Sequence, residues 1–319
     1  MRPKHERRVR FALCLAALLF CGARAVARQA AGAPQIFGEG VVSAGFDESG
    51  GAFTPGGETF FFVKGIRWSD LSVIVFTRRT NGRWGEPRVA PFSGRYDDKD
   101  PFISADGARL YFSSNRPAEG ADAKTDFDLW VVERRANGWG RPRHLGGAVN
   151  TSADEESPSL AADGTLYFTS NREGGQGGFD VYRARMAGDS YAAPENLGEA
   201  VNARGDERQV TVEPRGRFLL FSSRRPGGSG DLDIYVSRDG GGRWLPAQNL
   251  GPGINSGLAD FAPLLSRDGK TLFFTSHRAK PQAGGQERPP DYPTLVRRFR
   301  AAGNNSADIY HVGIGVLTQ

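Results

Sequence analysis

Residues 157–172 read SPSLAADGTLYFTSNR, and nearly the same words stand earlier as DPFISADGARLYFSSNR (100–116) and later as APLLSRDGKTLFFTSHR (262–278). A chain that repeats itself announces an architecture. Turn glycines of this kind fall at Gly57, Gly107, Gly164, Gly216 and Gly269, spaced by 50, 57, 52 and 53 residues. Around each lies the same series. A short strand comes first (GAFT, PFIS, PSLA, QVTV, APLL). After the turn comes an apolar, aromatic strand (TFFFV, RLYFSS, TLYFTS, FLLFSS, TLFFTS). These runs are β-branched or aromatic and too short for helices. A Gly-rich loop leads to a third strand (SVIVFT, DLWVVE, DVYRAR, DIYVSR, DIYHVG). A tight turn, Asn81-Gly82 or Asn137-Gly138 in the first two repeats, opens a fourth. Asn-Gly between strand-like runs is a strong hairpin signal.

Four antiparallel strands every 50-odd residues are one propeller blade. A lone sheet cannot bury both faces, whereas blades stacked around an axis can. The fifth repeat ends at IGVLTQ without an outer strand. The stretch 36–53 matches 144–160, with Phe37-Gly38 over Leu145-Gly146, Val41 over Val149 and Asp47-Glu48 over Asp154-Glu155. The expectation is an all-β, five-bladed propeller of four-stranded antiparallel blades over 36–315, its last blade closed by the N-terminal strand. Blades are expected near 45–94, 95–150, 151–203, 204–256 and 257–315, with a loop insertion at 279–306. There, Tyr292, Leu295, Val296 and Phe299 share one face if a short helix forms, and the Pro and Gly content argues for disorder instead.

The first 27 residues read as an export signal: a basic start, the apolar run FALCLAALLF, then small residues before the cut. The run is too short to span a membrane comfortably. Phe20 stands before Cys21 where a lipid-attachment site wants a small residue, so lipid anchoring is not expected. This segment holds six Lys or Arg and one Glu of the chain's 41 basic and 36 acidic residues, which leaves 35 of each. The basic balance thus belongs to the signal, and nucleic-acid binding loses its main support. Both cysteines, Cys14 and Cys21, lie there too, so the remainder has no disulfide and no thiol chemistry.

The pieces ADGARLYFSSNR…FDLWVV, ADGTLYFTSNR…FDVYRA and RDGKTLFFTSHR…ADIYHV resemble the WD40-like propeller repeats of TolB-type bacterial envelope proteins. Repeat one departs from the pattern: Ser72 stands where the others carry Asp, and the SNR ending is missing. The resemblance implies that the loops entering each first strand and those between strands two and three open on one face. That rim would gather Asp47/Glu48, Asp97/Asp98/Asp100, Asp154/Glu155/Glu156, Asp206/Glu207 and Asp260 with Asn115-Arg116, Asn171-Arg172, Arg224-Arg225 and His277-Arg278. One reading is a charged rim gripping a polar ligand or Ca²⁺; the blander one is an acid–arginine pair built into each blade. Asp128, Asp180, Asp233 and Asp308 fit turn-making aspartates.

Function is sought where the repeat is broken. The candidate rim residues are Arg67, Trp68, Tyr96, Asp97, Asp98, Asp100, Glu155, Asp206, His277 and Arg278. No metal or other cofactor is expected apart from the Ca²⁺ just considered. Enzyme readings are thin. SRDGGGRW (237–244) matches the Ser-x-Asp-x-Gly-x-x-Trp box of sialidase-type propellers, where it is a structural turn. There is no G-x-S-x-G, no P-loop and no metal-ligand spacing among His144, His277 and His311. The expected function is an exported, non-catalytic, monomeric binding module, periplasmic or secreted. It offers one rim to an envelope protein or glycan and has no transmembrane segment once the signal is removed. The alternative is a sialidase-like or other glycoside hydrolase using rim carboxylates.

Overall fold

The computed structural model describes residues 32–66, 71–118, 124–280, 291–299, 301–304 and 306–314. The expected signal, Arg67 and Trp68 lie outside the described residues. Five antiparallel sheets follow one another along the chain. Blade one holds Asp47–Phe53, Thr59–Ile66, Leu71–Thr80 and Arg88–Val89. Blade two holds Asp98–Ile103, Arg109–Ser114, Asp128–Arg135 and Arg143–His144. Blade three holds Glu155–Leu160, Leu166–Ser170, Asp180–Ala184 and Glu195–Asn196, and blade four Glu207–Val212, Phe218–Ser223, Asp233–Arg238 and Gln248–Asn249. Blade five has Asp260–Leu265, Thr271–Ser276 and Asp308–Gly313, and its outer strand is Gln35–Ile36. Gln35 pairs with His311 and Ile36 with Tyr310, so the start of the described chain clasps the last sheet. One offset differs from the sequence expectation. Val42, fully buried, takes the place of Val149, and Val41 is only half-buried. The linker in blade one carries one more residue between its glycine and its acid, which shifts the match.

The second strand of each blade is sandwiched between neighbouring sheets, which is why it reads as a continuous apolar run. One phenylalanine per blade stands at the same register: Phe62, Phe112, Phe168, Phe221 and Phe274, each under 2% exposed. Burying such a ring is worth about 1.5–3 kcal/mol. Five apolar clusters result, one between each pair of adjacent blades. The cluster between blades five and one gathers on Phe37, whose ring meets Phe53, Phe60, Trp84, Phe273 and His311 within 5.9 Å. In the insertion, Tyr292–Phe299 is helical, and Asp291 caps it by accepting the Thr294 amide at 2.7 Å. Among the described residues no helix is long and apolar enough to cross a membrane.

Candidate functional site

Each first strand lies next to the central axis, and each one kinks. The residue two beyond its buried acid (Glu48, Asp98, Glu155, Glu207 or Asp260) is left-handed: Gly50, Asp100, Ser157, Gln209 and Ala262, with φ between 47° and 58°. The pairing register slips there in all five blades. These five kinks meet at the axis and pinch the channel to a cavity of about 40 Å³, bordered also by Pro101, Pro158 and Pro263. A cavity of that size holds a few waters at most, since one water needs about 10–15 Å³ measured this way.

The first and second acidic columns are structural. First-position aspartates join blades: Asp47 accepts the Ala307 amide, Asp97 that of Ser72, Asp154 that of Phe127 and Asp206 that of Phe179, at 2.9–3.2 Å. Burial pushes the Asp97 carboxyl up, against the Ser72 amide that holds it down. Second-position acids pair with the arginine that ends strand two: Asp98 with Arg116 (2.5 Å), Glu155 with Arg172 (3.0 Å), Glu207 with Arg225 (3.2 Å) and Asp260 with Arg278 (2.6 Å). Each guanidinium also donates to the carbonyl of the residue six before its acid: Phe92, Val149, Val201 or Ile254. Burial nevertheless raises the Glu155 and Glu207 carboxyls. Desolvation outweighs the ion pair there.

Of the rim residues named from sequence, Asp97, Asp98, Glu155, Asp206 and Arg278 therefore sit in these repeated joints. The Arg95 and Arg116 guanidiniums stand over the Tyr96 ring at 5.4 and 5.5 Å. His277 meets the Phe261 ring edge-on at 5.6 Å. Asp180 and Asp233 accept amides of their own loops, from Gln176 and Gly177 and from Ser229 and Gly230, as turn-making residues do.

The third column breaks the repeat: Ser49, Lys99, Glu156, Arg208 and Phe261. Here the structure builds something the joints do not account for. Glu156, 4% exposed, reaches from blade three to both neighbours, meeting Lys99 Nζ at 2.9 Å and an Arg208 guanidinium nitrogen at 3.0 Å. Lys99 also lies 3.4 Å above the Phe127 ring centre and Arg208 3.7 Å above that of Phe179. Arg208 Nε is buried without a hydrogen bond; Asp206 is 3.7 Å away. One residue further in, Asp100 Oδ2 accepts from the Ser157 hydroxyl at 3.0 Å and from that of Ser113 at 3.4 Å. Enclosure raises the Asp100 carboxyl, and Glu156 raises it further, against Lys99 and Arg208. Gln209 Oε1 is buried beside the channel with no partner. The mouth thus carries two cations and two carboxyls, mutually compensated, with donor and acceptor capacity left over. Sequence reading named Asp100 and the acids but passed over Lys99, Arg208 and Gln209; the signal that finds them is the pair of adjacent columns, the third and the fourth, where no two blades agree.

Among the described residues no three His, Asp or Glu side chains are grouped to hold a metal ion. The sialidase-like box closes its own turn: Asp239 bridges to Trp244 and accepts the Gly242 amide at 2.8 Å. It lies between strands three and four, at the end of the blade away from the mouth.

No family model matches the chain, and no curated protein matches it either. Solved structures resemble it in fold. TolB from Acinetobacter baumannii is 12% identical, with a TM-score of 0.48 over 85% of this chain and 55% of that one. The chain therefore spans about half of that relative's length. The putative TolB from Agrobacterium tumefaciens is 18% identical, with a TM-score of 0.49 over 85% of this chain and 91% of that one. A gluconolactonase from Xanthomonas campestris is 11% identical, with a TM-score of 0.45 over 89% and 96%. The structural neighbours thus include TolB-type propellers; the fold assignment here rests on the five sheets and their clasp.

Proposed function

We propose that this chain is an exported, non-catalytic binding module whose channel-mouth rim takes a protein or glycan of the cell envelope. The observation that supports this reading is the Lys99–Glu156–Arg208 bridge. A buried carboxylate spanning three blades at a column where the blades differ is costly to keep for stability alone, because replacing such pairs by apolar residues is often neutral or better. Features common to four blades serve the ring; this feature is found once. The test is capture from an envelope extract by the wild-type chain and by a Lys99→Ala/Arg208→Ala variant, with Arg183→Ala as a surface control. Selective loss of one captured species with the double variant supports the reading. An unchanged capture profile counts against it.

A second reading has one observation in its favour. Asp100 and Glu156 are neighbouring carboxyls of which one is raised, the arrangement a glycosidase uses for its acid. The cavity of about 40 Å³ beside them does not admit a sugar ring, since ligand sites occupy roughly 300–1,000 Å³. Turnover of chromogenic glycosides that Asp100→Asn abolishes would support the enzyme.

A further inference from the structure

The overall charge balance conceals a polarised surface. The hairpins joining strands three and four of blades one and two read RRTNGRWGEPR (78–88) and RRANGWGRPR (134–143). Each carries four arginines. With Glu86 inside the first and Glu133 just before the second, eight Arg against two Glu give a net charge of +6. All eight (Arg78, Arg79, Arg83, Arg88, Arg134, Arg135, Arg141, Arg143) are exposed, and none makes an ion pair among the described residues. In blade three the two arginines at the end of strand three, Arg183 and Arg185, are both answered by Glu195, at 2.8 and 3.5 Å.

The two hairpins belong to adjacent blades, and the second packs against blade one. Trp139 of the second packs edge-on against Phe61 and Phe92 of blade one, at 5.8 and 6.3 Å. Between the second hairpin and the Pro91-Phe92 segment that follows the first runs a cleft of about 540 Å³, walled by Pro91, Phe92, Trp139 and Pro142 and flanked by Arg135 and Arg141. These turns lie at the ends of the blades away from the channel mouth, so this surface is separate from the site proposed above.

We propose that this face is a docking surface for an acidic, Asp/Glu-rich segment of a protein partner. Charge selects an anion, and arginine rather than lysine selects a planar oxyanion that the guanidinium fork can grip with two bonds. The hairpins contain no lysine. The cleft's proline and aromatic walls suit peptide side chains. A sugar polymer needs acceptors as well as donors to read its hydroxyls, and Glu86 and Glu133 are the only acidic side chains here. A bilayer calls for apolar tips to insert, and these tips are Asn81-Gly82 and Asn137-Gly138. A nucleic acid calls for exposed stacking rings, whereas Trp84 and Trp139 are half-buried.

Binding of a fluorescein-labelled decaglutamate peptide to the full chain, read by anisotropy at several salt concentrations, tests this. The expected result is saturable binding that weakens as salt rises. Arg135→Ala/Arg141→Ala should reduce affinity by roughly fivefold to tenfold, since exposed ion pairs contribute modestly each. Arg183→Ala/Arg185→Ala should leave it unchanged. Arg135 and Arg141 are exposed and unpaired among the described residues, so an unchanged thermal midpoint confirms that their variants are folded; Arg183 is half-buried and paired with Glu195, so that control should stay folded with a midpoint lowered by a few degrees at most. The charge reversal Arg135→Glu/Arg141→Glu should transfer binding to decalysine. No binding of decaglutamate, equal loss in both double variants, or tighter binding of heparin, a DNA oligonucleotide or phosphatidylglycerol vesicles would overturn the proposal.

Discussion

Arg172 and Glu155 meet at 3.0 Å with the carboxylate fully buried, and the same guanidinium donates to the Val149 carbonyl at 2.7 Å. One arginine therefore ties its own blade's first and second strands to the loop arriving from the blade before. The joint recurs at Arg116, Arg225 and Arg278, so it belongs to the ring rather than to a ligand.

Removing Arg172 should strand a buried charge. Arg172→Ala is expected to cost about 3–5 kcal/mol, seen as a fall of roughly 6–15 °C in thermal midpoint. Arg183→Ala breaks a pair of similar length whose carboxylate is half exposed, and should cost at most about 1 kcal/mol. Equal effects from the two would contradict the structural role given to the repeated pair.

Blade one lacks the joint. Lys64 and Ile66 occupy the register positions of the serine and arginine, and Glu48 is left with Lys64 at 3.3 Å and the Ala44 amide at 3.3 Å. Its Oε1 has no hydrogen bond, and Asp308 stands nearby. Burial pushes its carboxyl from 4.5 to about 7. A raised carboxyl favours the fold when protonated, so its contribution is full below pH 4.5 and is lost as pH rises through 7. Thermal midpoints measured between pH 5.5 and 8 should fall with pH. Glu48→Gln should flatten that slope and gain upward of about 1 kcal/mol at pH 8. A slope identical to wild type would refute the assignment.

Asp100 gives a related prediction at the channel. Its carboxyl is raised by enclosure and by Glu156, so ionisation costs stability as pH climbs. Asp100→Asn should be stabilising at pH 8 relative to wild type and nearly neutral at pH 5. Urea midpoints at the two pH values check this; a loss of stability at pH 8 would mean that the ionised carboxylate is needed.

The repeated phenylalanine should be the least replaceable apolar residue of its blade. Phe168→Ala removes a ring packed between sheets and is expected to cost about 3–5 kcal/mol. Leu258→Ala, at a 46% exposed rim position, should change the midpoint by less than about 0.5 kcal/mol.

The ring itself was legible because its signals are local. Turn glycines, aromatic second strands and the match of 36–53 to 144–160 each follow from backbone and burial rules. The channel mouth was less legible, and the kink is the reason. In a regular strand side chains alternate, so Glu155 and Glu156 would be assigned to opposite faces and every later residue by parity. A left-handed residue at Ser157 resets that parity, and the five positions that do this are Gly, Asp, Ser, Gln and Ala, which share no composition to recognise. Likewise, nothing in DEES distinguishes the acid that joins blades, the one that pairs with arginine and the one that bridges Lys99 to Arg208.

The claim on which the rest depends is that Gln35–Ile36 completes the fifth sheet. Gln35 and His311 face each other as a register pair, and Cα atoms in such antiparallel pairs lie about 4.5–5.5 Å apart, within disulfide range. The measurement is oxidation of a Gln35→Cys/His311→Cys chain that starts at Arg28 and so has no other thiol. The account predicts a rapid intramolecular disulfide, no free thiol, and a thermal midpoint above that of the reduced form. Thiols that stay free, or link only between molecules, would contradict it.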